Sequence, residues 1–499
     1  VLNGGPREPD PKNPFIHPWT DLANTPYHLG GINIYDERGF KWYRAALEFL
    51  SERYTRPDAE YGLLDGFIIA NEVQAHWVWS NLGECTPSDF LDEYIKALRV
   101  SWLAAKKHHS GLKVYASLDH HWAKRYGSST QWITGPEVLE GLAAKGQAEG
   151  DFGWDVAFHP YPDDLFNPRF WLEKTTPLSF GAQKISFNNL EVLPVFLSQP
   201  HLLYNGQQRR ILLSEQGIHK PDSPDGEQLQ AASFALAYWK VKHIPGIEAF
   251  IYFRHISGND PAGLLFGLWD VHPDDPSGNT PGKKMLLWDV VRAADTPEWE
   301  QTTAFALPLI GVESWQEALP KPPSAVDRTR AKYPQVPLDE TLVVELANQL
   351  QFAERENCLD WRPEVLEEGG VLYPAIFHHP PAEGLGKATF TLDLPVVSRR
   401  ELLTLRFGTA FGADSDNGVG FSLLINDQEV WQYNQTDRNL VKHELDLTGY
   451  QGEQIRLTLC VDALGQAGHD WALWVWPIIV EESKELSFTP DVAPLLEQD

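Results

Sequence analysis

The sequence predicts an α/β barrel of the (β/α)8 TIM type followed by an antiparallel, jelly-roll-like β-sandwich. Three observations predict it. From residue 35 to about 291, amphipathic helical patterns alternate with short apolar strands, the pattern of βα units around a parallel sheet. These strands end in polar residues, and in a barrel the C-terminal strand ends converge on one site. After Gly384 the chain changes to short alternating strands separated by Gly, Asp and Asn turns, the texture of a sandwich of about 100 residues. The expected division is a barrel over 1–300, a Pro-rich linker packed on it over 301–345, the sandwich over 346–485 and a tail over 486–499.

Taken in order, "RGFKWYRAALEFLSERY" (38–54) reads as a helix with Trp42, Ala45, Ala46, Phe49 and Leu50 on one stripe. "GFIIANEVQ" (66–74) is an apolar strand that stops in Asn71 and Glu72. "SDFLDEYIKALRVSWLAAKKH" is a helix capped by Ser88, with Phe90, Tyr94, Leu98 and Trp102 at helical spacing. "LKVYASLDHHW" is a strand ending in Asp119, His120 and His121, and "WDVAFHPYP" one ending in His159 and Tyr161. A Pro- and Phe-rich insertion over 162–208 is expected to wall one side of a narrow, exo-acting cleft. "RRILLSEQG" then ends in Glu215, "DGEQLQAASFALAYWKVKHI" is a helix, and "EAFIYFRH" ends in Arg254 and His255. Five such strands, with the tail of a sixth in "VLNGG", leave the barrel two short. The expectation is that two strands lay before Val1, in a segment removed from or longer than this chain. An open doubly wound sheet fits the βα spacing as well, but no GxGxxG or GxxxxGK[ST] follows a strand, so nucleotide binding is not indicated.

With 41 basic against 69 acidic residues and a net charge of −28, the chain lacks the cationic surface that nucleic acids and anionic membranes require. No run of about 18 apolar residues exists to span a membrane. Cys85, Cys358 and Cys460 are too scattered for a disulfide framework or a zinc motif. No obligatory cofactor is expected, and no motif encodes an oligomeric state.

A carboxylate on the end of a buried strand is costly unless it has a partner or a task. Two of them on one barrel rim, Glu72 and Glu215, suit glycosidic hydrolysis. One acid protonates the leaving oxygen while the other attacks the anomeric carbon from about 5–5.5 Å, or activates water from about 6.5–9.5 Å. The blander alternative is that they cap the following helices or pair with Arg254.

The pairing of "ANEV" with "LLSEQG" resembles the clan of retaining glycoside hydrolases on (β/α)8 barrels, in which an Asn-Glu pair follows strand four and a Glu ends strand seven. The resemblance spans roughly residues 1–291. It implies Glu72 as acid/base, Glu215 as nucleophile and Asn71 as a donor to a sugar hydroxyl. "FHPYP" resembles the strand-six end, where a His or Tyr contacts the nucleophile, which implies roles for His159 and Tyr161. The Trp common at the end of strand eight is replaced by Phe253, Arg254 and His255, so a sugar platform is sought in Trp77, Trp79 or Trp122. Arg254 suits either an acidic sugar or an ion pair with Glu215. His120 and His255 complete the expected substrate-binding set.

The strand-end histidines His120, His121, His159 and His255, with Asp119 and Glu215, also suggest a metal centre; against it, the HxH of a first strand is missing, and adjacent His120 and His121 point to opposite faces of a strand. The C-terminal strands resemble the carbohydrate-binding modules appended to bacterial glycosidases. There Asp414, Asp416 and Asn417 fit a calcium loop or a plain Asx turn, and Trp471, Trp474 and Trp476 divide between the faces of one strand. The expected protein is therefore a secreted or periplasmic retaining glycosidase acting on a poly- or oligosaccharide. The competing reading is a catalytically silent carbohydrate-binding protein on a barrel scaffold.

Overall fold

A computed structural model describes residues 13–21, 23, 29–258, 260, 262–275, 277–337, 340–398, 401–411, 418–465 and 471–483. The segment "VLNGG", the calcium candidates Asp414, Asp416 and Asn417, and the tail lie outside them. The chain divides into two compact units, Val1–Tyr333 and Pro334–Asp499.

In the first unit, strands β1 (Gly66–Ile69), β2 (Lys113–Asp119), β3 (Asp155–His159), β4 (Ile211–Leu213) and β5 (Ile247–Phe250) form one parallel sheet in the order of the sequence. Sequential order without a reversal is the order of a (β/α)8 barrel and not of a doubly wound sheet, whose strand order switches direction. Five strands are present among the described residues, and closure of the sheet into a barrel is not seen there. Between β1 and β5 the inner face is open: Ile68 and Ile251 are 42% and 51% exposed. The outer face is closed, with Ile69, Val114, Ala116, Val156, Phe158, Ile211 and Leu213 buried.

Helices α1 (Glu37–Tyr54), the short α2 (His76–Trp79), α3 (Pro87–His108), α4 (Gly135–Glu149), α5 (Val192–Leu197) and α6 (Gly226–His243) connect these strands. Their ends follow capping chemistry. Asp36 accepts from Gly39 N at the start of α1, and Thr134 with Glu137 makes a capping box on α4. At α3 the cap is Thr86, which accepts from Asp89 N with Pro87 in the first turn, and not the expected Ser88. The buried face of α1 is also displaced by one position. Gly39, Tyr43, Leu47 and Ser51 face inward, while Trp42 and Phe49 are 54% and 58% exposed. Gly39 leaves room for Asn33, and one turn on, Tyr43 shares a hydrogen bond of 2.8 Å with Ser101 of α3.

Trp122, expected in a sugar platform, is fully buried: its indole donates to Phe180 O and its ring packs on Phe196. The 162–208 insertion is largely irregular apart from α5 and two short helical turns, and it contributes to the core, where Phe170, Phe180, Phe187 and Phe196 are buried. Residues expected in a linker continue this unit. After the β6 (Trp269–Val271) and β7 (Pro281–Lys284) hairpin come α7 (Leu286–Ala293), α8 (Trp299–Thr303) and α9 (Ala306–Ile310). Trp299 and Trp315 are buried and stack with Trp239.

Below the sheet, Arg209 is almost wholly buried. It lies 3.7 Å from the centre of the Trp154 ring, donates to the carbonyls of Phe152, Trp154 and Leu202, and pairs with Asp151 at 3.1 Å. Removing one partner of a buried pair leaves the others unsatisfied, at about 3–5 kcal/mol. Arg209→Met is expected to lower unfolding stability by that amount, read as a shift of the urea midpoint at unchanged slope.

The second unit is a β-sandwich. One sheet has the order β10 (Asp360–Glu368), β11 (Val371–His379), β18 (Ala472–Ser483), β13 (Glu401–Phe411), β16 (Val441–Asp446), with β8 (Glu340–Glu345) on the far half of β18. The other has the order β15 (Gln428–Gln435), β14 (Val419–Ile425), β17 (Gln454–Asp462), β12 (Gly386–Asp393), β9 (Glu354–Glu356). Strands thus begin at Glu340, ahead of the texture change at Gly384. Alternate residues of both sheets, Trp474 among them, fill the space between, whereas Trp471 is 43% exposed. No described helix in either unit is long and apolar enough to cross a membrane.

Candidate active site

The polar residues at the C-terminal ends of β1 to β4 converge. At the end of β1 the backbone turns through two left-handed residues, Ala70 (φ 62°) and Glu72 (φ 42°), a conformation that side chains disfavour and that occurs where a strand must re-aim a residue. Glu72 N donates to Ser117 Oγ at 3.0 Å. Gln74, fully buried, clamps the same turn to the end of β2: its amide donates to the carbonyls of Asp119 and His121 and accepts from Asp119 N. Glu72 caps no helix, since no side-chain cap bond forms at the turn that follows it.

His159, the last residue of β3, reaches Glu72 Oε1 through Nδ1 at 2.8 Å and Ser214 Oγ through Nε2 at 3.0 Å. Two residues on, the Tyr161 hydroxyl donates to Glu215 Oε1 at 3.0 Å. One ligand atom each of Glu72, His159 and Glu215 lies within 4.8 Å of the others, so the two carboxylates face each other across the strand ends. The Glu72 side chain is 15% exposed and that of His159 is 3% exposed.

Burial raises the Glu72 carboxyl above its usual range; the His159 hydrogen bond opposes this and the neighbouring Asp119 adds to it. The Trp79 indole also donates to Glu72. Burial lifts Asp119 to about 7, against the backbone N–H of His121. For His159, burial works against the cation, but the bond to Glu72 and the charges of Glu72, Glu215 and Asp119 outweigh it and raise the imidazole. The Tyr161 hydroxyl is held protonated by burial and by Glu215. Glu72 and Glu215 thus sit in unlike surroundings, the first against imidazole and indole, the second against a phenol.

Other expected residues stand elsewhere. His120 is buried behind Tyr161, with Nδ1 3.1 Å from Tyr161 O, and His121 pairs with Asp119 at 2.7 Å. His255 is exposed, five residues past the end of β5, and Arg254 turns into its own loop. Arg254 donates to the carbonyls of Ile256 and Ser257, and Gly258 (φ 56°) leaves the room its guanidinium occupies. It therefore neither pairs with Glu215 nor reaches toward a sugar in this arrangement. Asn71, next to Glu72 in sequence, and Trp77 are half-buried. Of the histidines weighed for a metal centre, His120 and His121 bond to Tyr161 O and Asp119, and His255 is exposed beyond β5. Glu72, His159 and Glu215 are close enough to hold an ion, but both nitrogens of His159 already bond to Glu72 and Ser214. Ser214, Gln74 and Ser117 were not expected from the sequence; their partners are backbone groups and side chains of other strands.

No curated protein matches the chain. Solved structures similar to it include a glucosidase from Croceicoccus marinus, at 13% identity and a TM-score of 0.32 over 84% of this chain and 73% of that one. A family 39 glycoside hydrolase from Bacteroides cellulosilyticus is similar at 11% identity and 0.31, over 85% of this chain and 62% of that one. A β-porphyranase of glycoside hydrolase family 86 from Bacteroides plebeius is similar at 12% identity and 0.33, over 89% and 82%. The model of a family described as "Family of unknown function (DUF5722)" matches residues 5–318, and the chain belongs to that family.

Proposed function

We propose that this chain is a glycoside hydrolase that cleaves O-glycosidic bonds with retention, with Glu72 as acid/base and Glu215 as nucleophile. The observation that carries the reading is the approach of the two carboxylates within 4.8 Å across the ends of β1 and β4. An oxygen of each carboxylate that close to the other supports direct attack, from about 5–5.5 Å, over a water-mediated step, from about 6.5–9.5 Å. Burial raises the Glu72 carboxyl and so favours the protonated form, the one that donates to a leaving oxygen. Tyr161 occupies Oε1 of Glu215 and leaves the second oxygen for the anomeric carbon. Attack forms a glycosyl ester on Glu215 as Glu72 gives its proton to the leaving group; Glu72 then takes a proton from water as water breaks the ester.

A panel of aryl glycosides and polysaccharides, incubated with the wild type, Glu72→Gln and Glu215→Gln, tests the reading. Turnover of at least one glycoside by the wild type, lost in both variants, supports it. Binding of a glycan without turnover overturns it in favour of a silent carbohydrate-binding protein. Tyr161→Phe removes one hydrogen bond to a charged group, about 1.5–3 kcal/mol, and is expected to lower kcat/KM by about 10- to 100-fold with little change in folding.

A further inference from the structure

The loop between β2 and α4 carries a cluster of rings to which the bond-breaking steps give no task. Its backbone is tied to the turn that bears Glu72. The Gln74 side chain donates to His121 O at 3.0 Å, Ile133 N donates to Gln74 O at 2.8 Å, and Trp77 N donates to Gln131 O at 3.3 Å. β2 neighbours β1 and lies two strands from β4, so the loop stands beside Glu72 and away from Glu215. Within it Asp119 holds His121 twice, accepting from the backbone N–H and from Nδ1, each at 2.7 Å. The His121 ring lies 4.0 Å from that of Tyr126 and 5.5 Å from that of Trp132, centre to centre. Gly127 closes on the indole: a Cβ there would lie 2.1 Å from Trp132 Cδ1. Trp132 is half-buried and the His121 side chain is 21% exposed. Among the described residues neither His121 Nε2 nor Trp132 Nε1 has a hydrogen-bond partner, and neither atom is shut off from solvent. Burial, with Lys184 and Lys124 nearby, holds the His121 imidazole well below its usual range. A neutral ring that donates from Nδ1 to the Asp119 carboxylate presents Nε2 as an acceptor. A flat apolar ring with a donor on its edge and an acceptor beside it fits a pyranose, which has C–H groups on its faces and hydroxyls around its rim.

We propose, on the basis of the retaining reading above, that this loop is the subsite for the leaving-group sugar, with Trp132 stacking on a face of that sugar and His121 Nε2 accepting from one of its hydroxyls. The acid/base must reach the glycosidic oxygen, so the sugar beyond that oxygen lies on the Glu72 side, where the loop stands. The substrate class is then a glycan cleaved between two sugars, and not a glycoside of a simple alkyl or aryl alcohol.

The test compares two substrates with the same sugar on the Glu215 side: an oligosaccharide from a gluco-, manno-, xylo- and galacto-oligosaccharide panel, and the matching dinitrophenyl glycoside. Only the first places a sugar beyond the bond that breaks. Trp132→Leu removes the flat ring, and Gly127→Ala displaces it without deleting it. Trp132→Leu is expected to lower kcat/KM on the oligosaccharide about 10- to 100-fold more than on the dinitrophenyl glycoside. Gly127→Ala is expected to show the same bias to a smaller degree, Trp132→Phe to recover part of the loss, and His121→Phe, which keeps a ring but loses the acceptor, to share the bias. If Trp132→Leu melts below the assay temperature, Gly127→Ala carries the test. Equal losses on the two substrates overturn the proposal and leave the cluster a packing element, and a bias in the Trp132 variants without one in His121→Phe overturns the part given to His121. Turnover of dinitrophenyl glycosides but of no oligosaccharide also overturns it, while the retaining reading stands. If the wild type hydrolyses neither, the glycosidase reading fails and the leaving-group role falls with it. Quenching of tryptophan fluorescence by the same oligosaccharides then decides whether the loop holds sugar at all: quenching lost in Trp132→Leu keeps it as a binding site, and equal quenching in both removes it.

Discussion

Glu215→Ala is expected to lower kcat/KM by on the order of 10⁴-fold or more, the largest loss of any single change in the chain, because the proposed mechanism gives Glu215 the covalent bond to the sugar. The fold is expected to survive. Glu215 is half-buried and accepts a hydrogen bond from the Tyr161 hydroxyl, so its removal leaves a neutral phenol rather than a buried charge without its partner. The variant also leaves a space facing the anomeric carbon. Added azide is expected to restore turnover and to yield a glycosyl azide of anomeric configuration opposite to the substrate, as direct displacement from the nucleophile's side dictates. Product analysis by proton NMR checks it; rescue giving a retained azide would place the nucleophile elsewhere.

Glu72→Gln ranks second, and its effect depends on the leaving group. With an alkyl or sugar leaving group, loss of the general acid is expected to cost on the order of 10²–10⁴-fold in kcat/KM. With a dinitrophenolate, which departs without a proton, the first step is expected to run nearly unimpaired while the second, still lacking its base, limits turnover. The pH profile gives an independent sign. Burial raises the Glu72 carboxyl, so wild-type kcat/KM falls as pH rises through that raised value, and this basic limb is expected to disappear in Glu72→Gln. A surviving limb would assign the proton to Asp119, lifted to about 7, in place of Glu72.

The parallel sheet was legible because each strand is a short apolar run with a polar stop, a pattern set locally by the end of a buried strand. β1 and β2 start at the residues the pattern marks, and Glu72, His159, Tyr161 and Glu215 come together from three separate stretches. What was not legible depends on tertiary neighbours. Helix α1 carries two candidate stripes, and the one with Gly39, Tyr43, Leu47 and Ser51 is buried, with Asn33 against Gly39 and Ser101 bonded to Tyr43, contacts the pattern of large residues hides. Trp122 follows a polar strand end and reads as loop, yet its indole N–H satisfies a carbonyl in the insertion and its ring fills that core. Arg254 has no local sign that its donors go to Ile256 and Ser257, and Gln74 none that its amide fastens β1 to β2.

The most direct test of the central claim is to trap the intermediate. The wild type is incubated with a panel of activated 2-deoxy-2-fluoro glycosides, whose second step is slow, and its intact and peptide masses are measured. One sugar is expected to add a single glycosyl mass to the peptide that contains Glu215, with none in Glu215→Gln. An adduct on another carboxylate, or turnover of the same sugar to a product of inverted configuration with no adduct, would contradict the account.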